Sequence, residues 1–130
     1  MSTPDDRTFG DIGTTLLMEN DQIRVWELKL EPGQSSDLHH HELDYLMVQI
    51  EGDEIAADFE PDSTGTFAGS ERLQGPVSPG MAIFAEAGGR EIAVNIGSET
   101  FREIIVEVKP AEAKAAAAML PIQHLSLIHI

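Results

Sequence analysis

The chain has 130 residues, enough for one domain of ordinary size, and 42% of them are hydrophobic, enough for a core. Its 23 acidic and 8 basic residues give a net charge of −15, which argues against nucleic acid as a partner because phosphates would be repelled. The chain contains no cysteine, which excludes disulfides and thiolate zinc sites.

The N-terminal half begins with a polar segment and continues with strand patterns. Residues 1–13 lack hydrophobic periodicity and are predicted to form an N-terminal arm. A barrel domain is predicted over 14–110. Within it, residues 22–30 alternate with the period of a strand and place Arg24 on the same face as Trp26. Trp26 is expected to pack in the core.

Turn signals divide the rest of the barrel region into short apolar segments. Strands are expected near 14–19, 46–50, 54–59, 72–77, 81–85, 91–96 and 101–109, with a loop over 61–70. Together with 22–30 and the histidine segment, these make eight or nine strands, separated by turns roughly every eight to twelve residues. This pattern predicts an all-β sandwich or barrel.

The C-terminal segment differs from the barrel region. Residues 111–120 are alanine-rich and lie between two prolines, which predicts a short C-terminal helix. Residues 121–130 are a tail, and 125–130 match the translation of a transposon adapter used in sequencing libraries. We therefore predict that 125–130 are an assembly artefact, and we exclude His124 and His129 from any site.

Three consecutive histidines stand out in the segment 37–45, which is expected to continue as one strand into 46–50. On a strand, His39 and His41 point to one face and His40 to the other. We therefore expect His39 and His41 inside the barrel and His40 at the surface. Glu42 and Asp44 share the outward parity of His40.

The spacing around these histidines resembles the first sequence motif of the cupins, a family of small β-barrels. That motif runs from a glycine through two histidines and a glutamate to a second glycine. Here Gly33 is followed after five residues by His39 and then by His41. After three intervening residues stands Tyr45, where the family has glutamate, and after six more intervening residues stands Gly52.

A second motif of the same family is matched about thirty residues downstream. In the family it reads glycine, proline, glycine, histidine and asparagine at fixed spacing. Here the same spacing gives Gly80, Glu86, Gly88, Glu91 and Asn95. The proline has become Glu86, and the histidine that would bind a metal has become Glu91.

The resemblance implies a single-domain, jelly-roll-like cupin barrel that holds a divalent metal ion. Carried over by position, His39, His41 and Glu91 would be the metal ligands. Two histidines and one carboxylate form the set used by non-haem Fe(II) oxygenases, so Fe(II) is favoured, with Mn, Ni or Zn as alternatives. Tyr45 is predicted to be the catalytic residue, as a hydrogen-bond donor or as an acid.

Several alternatives remain open from the residues alone. Asp44 replaces Tyr45 as a ligand if a strand irregularity shifts the parity. Glu91 lies at the surface if its strand is displaced by one residue. Glu86 is expected to be exposed. Arg24 either lies at the rim of the core or anchors a substrate carboxylate at the mouth of the barrel.

The function predicted from this resemblance is that of a metal-dependent small cupin acting on a small organic substrate, such as a carboxylic acid. Similar small cupins are found near β-alanine and organic-acid catabolism genes. Dioxygenation is the first prediction, with a lyase or isomerase as the alternative reaction. Two further alternatives are a metal-free cupin that binds a small molecule without catalysis and a structural barrel used for dimerisation. A homodimer is expected in each case.

Targeting signals are not evident in the sequence. No apolar run approaches the roughly eighteen residues of a transmembrane helix. The N-terminus also lacks the basic and apolar regions of a secretory signal. We therefore expect a cytoplasmic protein without a membrane partner.

Overall fold

The computed structural model describes residues 5–110, which form nine strands and one short 3-10 helix. The helix (Gly65–Phe67) lies within the predicted loop. The strands are β1 (Thr15–Glu19), β2 (Ile23–Leu30), β3 (His39–His40), β4 (Asp44–Glu51), β5 (Glu54–Phe59), β6 (Arg72–Pro76), β7 (Ala82–Ala85), β8 (Arg90–Val94) and β9 (Phe101–Val108). The predicted all-β class is confirmed.

The parts of the chain outside the described residues include three predicted features. These are the first four residues of the arm, the C-terminal helix at 111–120 and the tail at 121–130 with its proposed artefact. Each of these stays a prediction. The domain boundaries drawn from the sequence also stay predictions.

The strands form two antiparallel sheets. The larger sheet has the order β1-β2-β9-β4-β7, and the smaller has the order β3-β8-β5-β6. Strands far apart in the chain are therefore neighbours, and β9 pairs with β2 on one side and with β4 on the other. Side chains from the two inner faces build the interior.

The histidine segment joins the two sheets. The sequence predicted one continuous strand from the histidines into 46–50, and this is wrong: β3 ends at His40 in the smaller sheet, and β4 begins at Asp44 in the larger. The chain breaks because the backbone of His41 bonds to the Gly88-Gly89 turn: its N–H donates to the carbonyl of Gly89, and its carbonyl accepts from the N–H of Gly88.

Most of the buried apolar residues lie on the inner face of the larger sheet, on β2, β9, β4 and β7. Trp26, Leu28 and Leu30 are buried on the inner face of β2, which confirms the prediction for Trp26. The inner face of β9 alternates between apolar and acidic residues. Its four buried members are Phe101, Glu103, Ile105 and Glu107.

The glycines that begin the two matched motifs lie in turns. Gly33 has φ +84° and Gly80 has φ +91°, a left-handed conformation that favours glycine because it has no Cβ. The turn at Gly33 precedes β3, which carries His39, and the turn at Gly80 precedes β7, after which β8 carries Glu91. The spacing of the motifs is thus fixed by where the backbone must reverse.

Residues 5–13, the described part of the arm, pack along the outside of the barrel. The guanidinium of Arg7 lies 2.6 Å from a carboxylate oxygen of Asp62, and Ile12 is buried against the core. No helix within residues 5–110 has the length and apolar character needed to cross a bilayer. The cytoplasmic location stays a prediction.

Candidate metal centre

Three residues predicted as ligands come together inside the barrel. His39 on β3 is the register partner of Glu91 on β8, so the two side chains leave neighbouring strands on the same face. His41 follows β3 at the crossing between the sheets. All three side chains are buried, and Glu91 points inward as predicted.

The ligating atoms of the three side chains converge. The Nε2 atoms of His39 and His41 are 3.1 Å apart, and Nε2 of His41 is also 3.1 Å from Oε1 of Glu91. All three atoms lie within 4.8 Å of one another. Two ligand atoms at right angles around one ion, each about 2.1 Å from it, would be about 3 Å apart. The cluster therefore has the dimensions of a metal-ligand set.

The hydrogen bonds of His39 determine which of its nitrogens is free. Nδ1 lies 2.8 Å from the carbonyl oxygen of Asp37, which can only accept, so Nδ1 carries the proton. In the neutral ring, Nε2 then presents a lone pair to the cluster. A backbone partner of this kind orients metal-binding histidines.

The cluster is short of protons. The lone pair of His39 and the carboxylate of Glu91 both face Nε2 of His41, which carries at most one hydrogen. The other nitrogen of His41, Nδ1, is buried and has no hydrogen-bond partner among the described residues. Three electron-rich atoms facing one point suit a cation better than a single shared proton.

Burial of the cluster favours the neutral form of His39. Burial and the neighbouring His41 lower the pKa of His39. Burial acts to raise the pKa of Glu91, but the hydrogen bond from His41 and the charges of both histidines outweigh it, so this pKa is lowered. An ionised Glu91 beside a neutral His39 is the protonation state in which both side chains can bind a metal.

Tyr45 lies directly against the cluster. Its ring stacks on the ring of His41, with centroids 3.7 Å apart and planes 8° from parallel. Its hydroxyl donates to Oε1 of Glu91 at 3.4 Å, and its side chain is fully buried. Burial, with the charge of Glu91, raises the pKa of Tyr45 far above its usual range. In this structure Tyr45 is therefore a neutral hydrogen-bond donor to a ligand residue.

The neighbouring polar residues point away from the cluster. Asp44 and Glu42 are exposed, and the carboxylate of Asp44 accepts from the backbone N–H of Ala87. Glu86 is exposed, as predicted. His40 is half-buried rather than fully at the surface, because its ring lies 5.7 Å from that of Phe9. None of these four belongs to the cluster.

A cavity of about 280 Å³ lies between the sheets and reaches the cluster at Glu91. Its walls are mainly apolar, with Leu28, Met47, Ile55, Phe59, Phe67, Ile83 and Phe101 among them. Its polar lining includes Glu103 and Gln49, which are register partners on β9 and β4. Burial and the charge of Glu91 raise the pKa of Glu103 to about 8.

A second buried carboxylate on β9 forms a separate network. One oxygen of Glu107 accepts from Nε of Arg24 at 2.6 Å and from the indole N–H of Trp26 at 2.7 Å. Arg24 is half-buried and does not line the 280 Å³ cavity. Its guanidinium pairs with Glu107 instead of facing the interior, which matches the predicted position at the rim of the core.

Glu103 and Glu107 were not singled out from the sequence, although a signal was present. Both share strand parity with Phe101 and Ile105, so an inward apolar face carries the two acids inside with it. The opposite face of β9, with Ile104 and Val106, is equally apolar. Parity alone therefore did not decide which face was buried.

Comparisons with known proteins support the fold through structures alone. No protein-family model matches the chain, and no curated protein matches it. Solved structures do match. A cupin domain from Bordetella pertussis Tohama I has 18% identity and a TM-score of 0.61, with 74% of this chain and 91% of that chain covered.

Two further structures have the same architecture. An RmlC-like cupin family protein with a double-stranded β-helix fold, from Methanocaldococcus jannaschii, shows 15% identity and a TM-score of 0.59, covering 90% of this chain and 98% of its own. A cupin superfamily protein from Desulfitobacterium hafniense DCB-2 shows 13% identity and a TM-score of 0.54, covering 82% and 94%. The resemblance drawn from the two motifs is thus confirmed at the level of the fold: the chain has the double-stranded β-helix fold of small cupins.

Proposed function

We propose that this protein is a metal-dependent cupin enzyme that acts on a small organic molecule held in the cavity between the sheets. The observation that carries the proposal is the buried convergence of Nε2 of His39, Nε2 of His41 and Oε1 of Glu91. Buried electron-rich atoms placed this closely require a cation or a proton between them. The cavity beside Glu91 gives a substrate access to that position.

The donor set fits a divalent metal ion, with Fe(II) favoured and Mn, Ni or Zn as alternatives. When bound, Fe(II) supplies Lewis acidity and redox chemistry toward dioxygen. The chain's own residues orient the ligands: the carbonyl of Asp37 fixes the ring of His39, and the hydroxyl of Tyr45 holds Glu91. The apolar walls exclude water from the reacting groups.

Metal content tests the proposal. Protein purified without an affinity tag is expected to bind about one Mn²⁺ or Fe²⁺ per chain, measured by elemental analysis and titration calorimetry. The His41→Ala variant should lose this metal. His40→Ala is the matched control, because His40 is adjacent but lies outside the cluster, and it should keep the metal. Equal metal content in both variants would contradict the assignment.

Oxygen consumption separates a dioxygenase from the alternative reactions. We expect the Fe(II)-loaded protein to consume dioxygen when a panel of small organic molecules contains its substrate. A compound that is transformed without oxygen uptake would instead identify a lyase or isomerase. Both reactions should disappear in the His41→Ala variant and persist in His40→Ala.

A metal-free binding protein is the second candidate, and the mainly apolar cavity favours it. Such a cavity binds small molecules through buried area, with or without a metal. The two candidates differ in their response to chelation. Thermal stabilisation by small organic compounds that is unchanged by a chelator, with no stabilisation by any divalent metal, would support the metal-free candidate.

We also propose that the protein forms a homodimer. The edge strand β1 exposes Leu16, Leu17 and Met18, and an edge with apolar side chains needs to be covered. Light scattering coupled to size-exclusion chromatography should give twice the 14.2 kDa chain mass. The Leu17→Lys variant is expected to shift the equilibrium toward monomer. A wild-type monomer at micromolar concentration would refute the proposal.

A further inference from the structure

The chemistry of the cavity narrows the class of substrate that this proposed enzyme can accept. The side chain of Glu103 is only 7% exposed, and it lines the cavity. Among residues 5–110, its carboxylate has no hydrogen-bond or ion-pair partner. Burial and the charge of Glu91 both raise its pKa. A buried carboxylate without a donor in the protein is costly, because its lost hydration is not replaced.

The rest of the cavity offers no positive charge. Its described lining contains two acidic side chains, Glu91 and Glu103, but no lysine, arginine or histidine. The five arginines among the described residues each lie within 4.0 Å of a carboxylate elsewhere. They are Arg7 with Asp62, Arg24 with Glu107, Arg72 with Asp58, Arg90 with Asp62 and Arg102 with Glu27.

This distribution disfavours a substrate carboxylate that is anchored by a protein side chain. The sequence left Arg24 as an anchor for such a group, but its guanidinium is held by Glu107 and lies outside the cavity. In the absence of the metal ion, an anion beside the ionised Glu91 would be repelled. A bound cation would instead favour the ionised form of Glu103, which otherwise keeps its proton up to a pKa of about 8, and would supply the hydrogen bonds that the carboxylate lacks.

We propose that Glu103 binds the protonated amino group of a small amine substrate. The apolar part of that amine packs against the walls of the cavity. This inference rests on the proposed function, since it names the substrate class of the same site. Glu91 has the hydrogen bond from Tyr45 and the contact with His41, so it belongs to the metal cluster. Glu103, on the other sheet, remains available to the ligand.

Three probes of matched size test the proposal: 3-methylbutylamine, 3-methylbutanoate and 3-methylbutan-1-ol. Each is titrated at pH 8.0 by calorimetry into Mn²⁺-loaded protein and into chelator-treated protein. We expect the amine to bind at least tenfold more tightly than the other two in the chelator-treated protein, where no metal ion attracts the carboxylate probe. Binding to the chelator-treated protein excludes direct ligation of the amine to the metal.

The Glu103→Gln variant keeps the shape of the side chain and removes its charge. It should bind the amine at least tenfold more weakly, while its affinity for Mn²⁺ stays within about threefold of wild type. Glu54→Gln is the matched control, because it removes one exposed acid from the neighbouring sheet and should leave both affinities unchanged.

The outcomes separate this inference from the function on which it rests. In the chelator-treated protein, amine binding that is unaffected by Glu103→Gln, or tighter binding of the carboxylate or the alcohol, would overturn the role of Glu103, whether or not the untreated protein binds Mn²⁺. Failure of the wild type to bind any metal would overturn the proposed enzyme, whereas amine binding dependent on Glu103 in that protein would still support the cavity assignment.

Discussion

Glu107 and Glu91 are both buried carboxylates inside one barrel, yet their surroundings differ. Glu107 accepts two short hydrogen bonds from permanent donors, Arg24 and Trp26. Glu91 faces Nε2 of His41 at 3.1 Å and the hydroxyl of Tyr45 at 3.4 Å, with His39 contributing another lone pair to the same cluster. Oε1 of Glu107 is satisfied within the protein, although Oε2 is buried without a hydrogen-bond partner among the described residues, whereas a cation would complete the cluster around Glu91.

The difference shows how one fold uses buried acids for two purposes. An arginine neutralises Glu107 and ties β2 to β9 at the rim of the core. Glu91 has only neutral or shared donors, so part of its negative charge is not compensated by the protein. A carboxylate that binds a metal needs this charge. Glu103 is the third case, because it has no donor in the described protein and faces the cavity.

The strongest test of the hydrogen bonds to Glu107 removes Arg24. Arg24→Met leaves the carboxylate of Glu107 buried with only Trp26 as donor, so the free energy of unfolding should fall by about 3 kcal/mol. Urea denaturation of chelator-treated protein measures this change. Arg102→Met is the control, since it breaks a partly exposed pair with Glu27 and should cost about 1 kcal/mol or less.

Equal losses of unfolding free energy in the two variants would mean that Arg24 stabilises the protein no more than the partly exposed Arg102 does. The affinity of Arg24→Met for Mn²⁺ should match that of wild type, because Arg24 does not touch the metal cluster.

Removal of Glu91 should instead lower the affinity for metal and leave the free energy of unfolding nearly unchanged. Glu91→Gln removes a metal ligand, so the affinity for Mn²⁺ should fall at least about 100-fold, or about 2.7 kcal/mol. The free energy of unfolding of the chelator-treated protein should change by less than about 1 kcal/mol, because the charge removed was only partly compensated. A large loss of stability together with retained metal affinity would reverse the two assignments.

Glu103 predicts a particular pH dependence of stability. Its pKa is about 8 in the folded protein against 4.5 ordinarily, so between these values the folded state binds more protons than the unfolded state. The contribution of Glu103 to the free energy of unfolding is then fully present below pH 4.5. It is lost as the pH rises toward 8, by up to about 1.4 kcal/mol per pH unit.

Urea denaturation at pH 5.5 and 7.0 measures this effect in chelator-treated protein. Wild type should lose about 2 kcal/mol more than Glu103→Gln over this interval. Parallel behaviour of the two proteins would show that Glu103 is not buried without a partner. Glu54→Gln should follow wild type.

The smallest expected effect belongs to Tyr45. Tyr45→Phe keeps the ring that stacks on His41 but removes the hydroxyl that donates to Glu91, so the affinity for Mn²⁺ should fall about tenfold. Titration calorimetry at one pH measures the change. Complete loss of metal would instead identify the phenol oxygen as a ligand, in the position where the cupin motif has glutamate.

The predictions from local sequence succeeded where strand geometry alone sets direction. The period of a strand placed His39 and His41 on one inward face, and Tyr45 is inward as well. The spacing of the second motif selected Glu91 among 23 acidic residues, and its pairing with His39 brings the two together. The prediction failed for the continuity of the histidine strand, because the break depends on backbone hydrogen bonds to Gly88 and Gly89.

By itself, the sequence determined the all-β class, the turns and the parity of the metal cluster, since these follow from residue type and spacing along one strand. The tertiary structure alone decided which face of β9 is buried, and with it the positions of Glu103 and Glu107. Arg24 lies 83 residues before Glu107 in the chain, so no local pattern could pair them. The cavity likewise forms only between two assembled sheets, and its charge is a property of side chains that meet across them.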